Sequence, residues 1–375
     1  MFDKNYDWYV VGSGFTGASF ARARADKGDR VLVVEQRNHI GGNAYDYWEN
    51  GQLLAKYGPH LFHTNSQKVV DFLSRFTNWR PYEHRVAVEV DGQSIPLPIN
   101  YNSLEQWFGT EGSAEILMDL RDHYGFDKTV NILQLREDNK TKLLEAVADL
   151  IYKKVFEPYS RKQWGSHFEN LDSSVMGRVP IRLNRDDRYF TDSFQMMPTD
   201  GYTTMFENML SHPNIQILLN ADYNDLMSGP QPVPVFYTGS IDEYFNYKLG
   251  ILPYRTLDFA NVTSEYYKQS IATMNMPQHM LYTRATNQTL VNGYKGQPQV
   301  ITFESAREFE LGTSDIRYYP VPTSETQNLY KDYDKYAETY LKGCTPVHFA
   351  GRLGSYQYLN MDQACAQGLQ RAATL

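Results

Sequence analysis

"VVGSGFTGASF", Val10 to Phe20, decides the fold of this chain. A β-rich run, "YDWYVV", leads into Gly12, Gly14 and Gly17, spaced G-x-G-x-x-G. The helix-forming run "ASFARARADKG" leads away and stops at Gly28, a suitable C-cap. In this context Gly12 permits a tight turn, Gly14 lets a pyrophosphate approach the backbone, and Gly17 lets helix and strand pack closely. "RVLVVE" then reads as a second buried strand, so the start is a βαβ unit with a parallel pair. Glu35 ends that strand about 20 residues past the glycines, where an acid takes the ribose hydroxyls of a dinucleotide.

NAD and FAD share this half of a site. The second glycine pair, Gly41-Gly42 with Asn43, brings another backbone stretch against the same pyrophosphate and points to FAD. The far end of the chain agrees. "VHFAGR" reads as a strand ending in Gly351-Arg352, and "NMDQACAQGLQRAA" opens a helix. Asn360 is its N-cap, with Gln363 three residues later, close to a capping box. A helix N-terminus aimed at the flavin pyrimidine favours negative charge on a reduced ring.

The bulk numbers fit a multidomain enzyme. The chain has 375 residues, 42% hydrophobic, enough for two or three domains with a sizeable core. A net charge of -8 argues against nucleic acid. Cys344 and Cys365 are the only cysteines, expected as unpaired thiols in a reducing cytosol. No signal peptide and no membrane span is legible, so a cytoplasmic location is expected. The composition stands out in its 29 Tyr, which suit stacking on a base and bonding to phosphates.

Similar α/β character at both ends implies one dinucleotide domain interrupted by insertions. The expected division is a discontinuous FAD-binding domain (1–77, 200–240, 335–375), a helical domain (100–178) with a mobile loop over 165–180, and a β-sheet substrate domain (78–99, 179–199, 241–334). A hairpin is expected around Asp91-Gly92.

Outside the flavin domain, "YSRKQWG" (159–165), "GRVPIR" (177–182), "DDRYFTD" (186–192), "YTR" (282–284) and "RYYPVP" (317–322) mix Arg, Tyr and Trp. Arg supplies charge for a diphosphate, Tyr hydroxyls reach phosphate oxygens, and an aromatic face takes a base. Together with "YGPHLFHT" (57–64), "RNHIGGNAY", "GRL" and "YLNMDQ", they resemble one family, the flavin-dependent UDP-galactopyranose mutases, from about Tyr6 onward.

The resemblance implies an α/β fold: a Rossmann-like FAD-binding domain with an inserted helical domain and an antiparallel β-sheet domain. It implies an isomerase, active with reduced FAD, that interconverts UDP-galactopyranose and UDP-galactofuranose through a flavin N5–sugar adduct. An external reductant, NAD(P)H or a reductase, and a homodimer are expected with it, and no metal. By motif, Tyr159 borders the uracil and Trp164 the sugar. Arg178, on the mobile loop, and Arg284 grip the diphosphate from two sides. Tyr189, Tyr319 and Tyr358 bond the phosphates. Asn275 and Asn360 line the sugar side, and His63 sits beside the isoalloxazine. Around the cofactor the resemblance adds Thr16, Gln36, Gly42, His60 and Leu61, then Arg352, Leu359, Met361 and Asp362. Glu304 falls on a family acid without an evident role.

The chain departs from the family after "YTR", where it reads "ATNQT", and after Glu304, where it reads Ser-Ala. An acid is expected at or near Asn287, so Asn287 becomes the candidate for altered sugar choice. Three rivals follow: the same ring contraction on an N-acetylated or 6-deoxy nucleotide hexose, a flavin amine oxidase, and a nucleotide-sugar sensor.

Overall fold

The computed structural model describes residues 5–138, 140–171, 175, 179–226, 232–265, 268–294 and 298–375. The chain divides into two compact units, 1–82 with 192–253 and 325–375, and 83–191 with 254–324.

The first unit is built on a five-stranded sheet in the order Ile215–Leu218, Val31–Val34, Trp8–Val11, Val235–Tyr237, Val347–Phe349, every neighbouring pair parallel. Val31 to Val34 are fully buried, as a central parallel strand requires. The helix Phe15–Ala25 follows the first strand directly and packs against Met361–Thr374. Gly368 makes that packing close, and Gly17 lets the first helix sit tight on its own turn and strand. A Cβ on Gly17 would stand 2.0 Å from the Gly12 carbonyl, and one on Gly368 2.4 Å from the Thr16 carbonyl. A small antiparallel sheet, Phe62–Thr64, Phe194–Pro198 and Trp79–Pro81, completes the unit with the hairpin Asp46–Glu49/Gln52–Ala55.

The second unit holds a seven-stranded sheet in the order Tyr319–Pro320, Tyr254–Ser264, Gln299–Glu308, Arg284–Asn287, Thr273–Asn275, Val86–Val90, Gln93–Leu97. The expected hairpin is present, its two turn residues Asp91 and Gly92 both at positive φ (51° and 76°). The sheet is mixed rather than antiparallel throughout, because Thr273–Asn275 runs parallel to Val86–Val90. The helices Tyr101–Tyr124, Ile132–Glu137, Lys142–Ile151 and Glu157–Trp164 lie in the same unit.

The division differs from the sequence reading in one merger and four reassigned stretches. The helical and strand-rich segments share one core, in which Val88, Ile95 and Leu97 of the sheet pack with Leu104, Leu144 and Ile151 of the helices. Neither face could be buried alone, so they form one unit rather than two. Residues 78–82, 192–199, 241–253 and 325–334 belong to the first unit, the first two stretches because Phe194–Pro198 pairs with both Phe62–Thr64 and Trp79–Pro81. Of the expected mobile loop, Gly165–Asn170 winds a 3-10 helix and Leu171 bridges to Thr323. Residues 172–174 and 176–178, Arg178 among them, lie outside the described residues.

Candidate functional site

In the first unit the two glycine stretches meet. Gly41 N donates to the Ser13 carbonyl at 3.2 Å, and a Cβ on Gly42 would stand 3.1 Å from Gly14 Cα. Gly42 also has φ +57°, a conformation costly for other residues. Gly12, at φ +92°, faces Thr238, whose Oγ1 lies 2.2 Å from where its Cβ would be. These loops therefore form a cradle of bare backbone that any side chain would fill, which fits a bound pyrophosphate.

Glu35 ties the cradle down. Its Oε2 accepts from Ser13 N (2.9 Å) and Ser13 Oγ (2.6 Å), and Oε1 accepts from Arg37 N (3.0 Å). Gln36, next to it, is exposed, while Thr16 is buried. Arg37 was not singled out from the sequence. Its Nη2 donates to Asn43 Oδ1 at 2.8 Å, its guanidinium lies 4.5 Å over the Tyr57 ring, and its buried Nη1 has no hydrogen-bond partner among the described residues. An orphaned cationic donor beside the glycine cradle again fits an anionic cofactor.

Arg352, Tyr358 and Leu359 come together: Arg352 Nη2 donates to the Leu359 carbonyl (2.7 Å), and its guanidinium lies 4.9 Å over Tyr358. The capping residues are in place, with Asn360 N donating to Gln363 Oε1 at 2.9 Å at the start of Met361–Thr374. Asp362, in that first turn, accepts from Thr64 Oγ1 (2.7 Å), and its buried Oδ1 has no partner among the described residues. His63 Nδ1 is 2.8 Å from Asp192 Oδ2, and Asn65 Nδ2 holds the other carboxylate oxygen at 2.9 Å. Nearby in sequence, His60 Nδ1 bonds the Gly58 carbonyl at 2.8 Å, and Leu61 is half-buried.

The second unit gathers Tyr159, Trp164, Tyr189, Asn275, Arg284 and Tyr319, all expected from the sequence. Tyr358 belongs to the first unit. Asn275, Arg284 and Glu304 are direct cross-strand partners on three neighbouring strands, so their side chains share one face. Arg284 donates through Nε (3.0 Å) and Nη2 (2.9 Å) to Glu304 Oε2. Burial disfavours the Arg284 charge, but Glu304, Tyr159 and Tyr319 hold its pKa well above the ordinary value. Burial pushes the Tyr159 phenol well up; Arg284 opposes this, and Glu304, Tyr189 and Tyr319 reinforce it. Trp164 ends its helix with its ring 6.4 Å from that of Tyr319. Tyr189 is positioned through its backbone by the buried Arg182, whose Nη2 donates to the Tyr189 carbonyl (2.8 Å).

Asn287 does not join this group. Three residues along the strand from Arg284, it points to the opposite face. The Asn287 side chain is fully buried; its Oδ1 accepts from Leu290 N (3.1 Å) and its Nδ2 donates to the Gln269 carbonyl (3.0 Å). The departure at this position is a helix cap, turned away from Arg284, which does not fit the expectation that it sets sugar choice.

The family model described as UDP-galactopyranose mutase matches residues 154–358, and that of an NAD(P)-binding Rossmann-like domain matches residues 10–76. The chain is 35% identical to the dTDP-fucopyranose mutase of Escherichia coli, over 97% of this chain and 96% of that one. It is 33% identical to the UDP-galactopyranose mutase of Mycoplasma pneumoniae, over 99% and 96%. Among solved structures, reduced UDP-galactopyranose mutase superposes with a TM-score of 0.68 over 98% of this chain and 95% of that one, at 15% identity, which speaks for the fold.

Proposed function

The chain belongs to the UDP-galactopyranose mutase family, and from that premise we propose that it contracts and re-expands the ring of a nucleotide hexose with reduced FAD, UDP-galactose being the first substrate to test. The observation that carries this reading is the Arg284 group: an arginine fixed by a buried glutamate among tyrosines, in a chain whose full-length relatives are mutases.

Gly12, Gly14, Gly42 and Asn43 would hold the FAD pyrophosphate, with Arg352 and the first turn of Met361–Thr374 near the ring. Bound and reduced, FAD supplies a nucleophilic nitrogen for the sugar's anomeric carbon. The protein does the rest by position and charge. Arg284 spends Nε and Nη2 on Glu304, so its orientation is set before an anion arrives, and its remaining donors meet a diphosphate whose charge grows as it departs. Tyr159, kept protonated, donates its hydroxyl rather than presenting a like charge. Trp164 and Tyr319 offer aromatic faces.

A second reading has its own observation. The E. coli relative acts, by its name, on a dTDP-fucopyranose, so a dTDP-linked 6-deoxyhexose is the alternative substrate. The test is turnover of UDP-galactose and dTDP-fucose by dithionite-reduced holoenzyme. Interconversion of either confirms the mutase. Turnover that is equal without reduction would sink the proposed use of the cofactor, and turnover of neither would sink the reading.

A further inference from the structure

We propose that Lys162 is the positioning residue for Arg284, clamping the turn that delivers that arginine to its site. The inference rests on the assignment of Arg284 to the phosphates. Lys162 lies on Glu157–Trp164, between Tyr159 and Trp164. Its ammonium donates to three backbone carbonyls, those of Met276, His279 (2.8 Å) and Tyr282 (2.7 Å). An ammonium has three N–H donors, so every one is used. Among the described residues no carboxylate pairs with it. Burial draws its pKa down to about 8, the mark of a charge taken out of water.

The three carbonyls belong to one turn, which joins Thr273–Asn275 to Arg284–Asn287. Asn275 and Arg284 flank it and pair directly. At its base Met276 N donates to the Thr283 carbonyl (2.8 Å), and the His279 ring accepts from Leu281 N (3.0 Å) and Tyr282 N (2.9 Å). Without a cation at the centre, three converging carbonyls would face one another with no donor. The turn would open, and the first residue beyond it is Thr283, then Arg284.

The helix itself is fastened elsewhere. The buried Arg255 donates through Nε to the Gln163 carbonyl (2.8 Å) and fills the space beside Gly165, where a Cβ would stand 2.8 Å from its Nη1. Lys162 is therefore not what holds the helix to the sheet, and its bonds go to the turn alone.

The test uses holoenzyme carrying K162M, K162R, R284A and K162M/R284A. Amide hydrogen exchange over 276–284 should quicken about tenfold or more in K162M, and stay near wild type in K162R, which keeps the cation. Unchanged exchange in K162M overturns the clamp. UDP and dTDP titrations should show K162M weakening the nucleotide that binds by about tenfold, K162R less, and the double variant no further than R284A. Additive losses overturn the link to Arg284, since a lysine acting only on stability would not cancel against it. If wild type binds neither nucleotide, the proposed function fails, and the exchange measurement decides the clamp by itself.

Discussion

Arg284 and Glu304 are 20 residues apart in sequence and adjacent across two strands. The glutamate side chain is 3% exposed, the arginine 30%. The carboxylate buried against one edge of the guanidinium leaves the other edge to meet ligand. Replacing Arg284 by Ala should lower kcat/KM by roughly ten- to a hundredfold, the worth of a charge-assisted phosphate contact, while the flavin absorbance per protein is unchanged. At Asn287 the reverse holds. Both ends of its amide serve the backbone, so Asn287→Ala should cost about 1 kcal/mol in urea unfolding and leave relative turnover among sugars as it was. In the cradle, Gly42→Ala sets a methyl 3.1 Å from Gly14 Cα on a positive-φ backbone. Purified Gly42→Ala should carry much less flavin than wild type, measured as the 450 to 280 nm absorbance ratio, with an unchanged far-UV spectrum.

Elements divide into those written locally and those written across the chain. The glycine loop, Glu35, the second glycine pair and the Asn360/Gln363 cap were legible because the chemistry needs them at short, fixed spacing. So was the Asp91-Gly92 hairpin. What pairs across the chain was not. Asp192 meets His63 across 129 residues, and no local pattern joins them. The same holds for Asp46, which caps a helix far from itself. Its carboxylate accepts from Tyr202 N (2.7 Å) and Thr203 N (2.8 Å) at the start of Gly201–Leu210. Asp46→Ala leaves two backbone donors unanswered, that of Tyr202 buried and that of Thr203 half-buried, and should cost about 2 kcal/mol, read as a drop in the urea midpoint with flavin content tracking the loss. The three-domain expectation failed for a related reason. Periodicity separates helix from strand, but it does not reveal that both kinds bury their apolar faces in one core.

For the whole molecule, the first unit is assembled from three stretches of chain and the second from two. A cofactor that binds only the folded first unit should stabilise it by mass action. At free FAD about a hundredfold above its Kd, holoenzyme should gain about 2.7 kcal/mol over apoprotein in reversible urea unfolding. No gain would mean that the glycine cradle does not bind FAD in the native state.

The closeness of the two helices at Gly368 has a consequence for biosynthesis. Ser19 Oγ lies 3.2 Å from Cys365 Sγ, 346 residues away in the chain. The glycine loop leaves the ribosome long before the helix that covers its own helix. At roughly 5–20 residues per second that interval is on the order of tens of seconds. Throughout it the helix face around Thr16 and Ser19 lacks its native cover from Met361–Thr374. The nascent chain is therefore most exposed to aggregation and to chaperones while its first helix waits for a partner 346 residues further on.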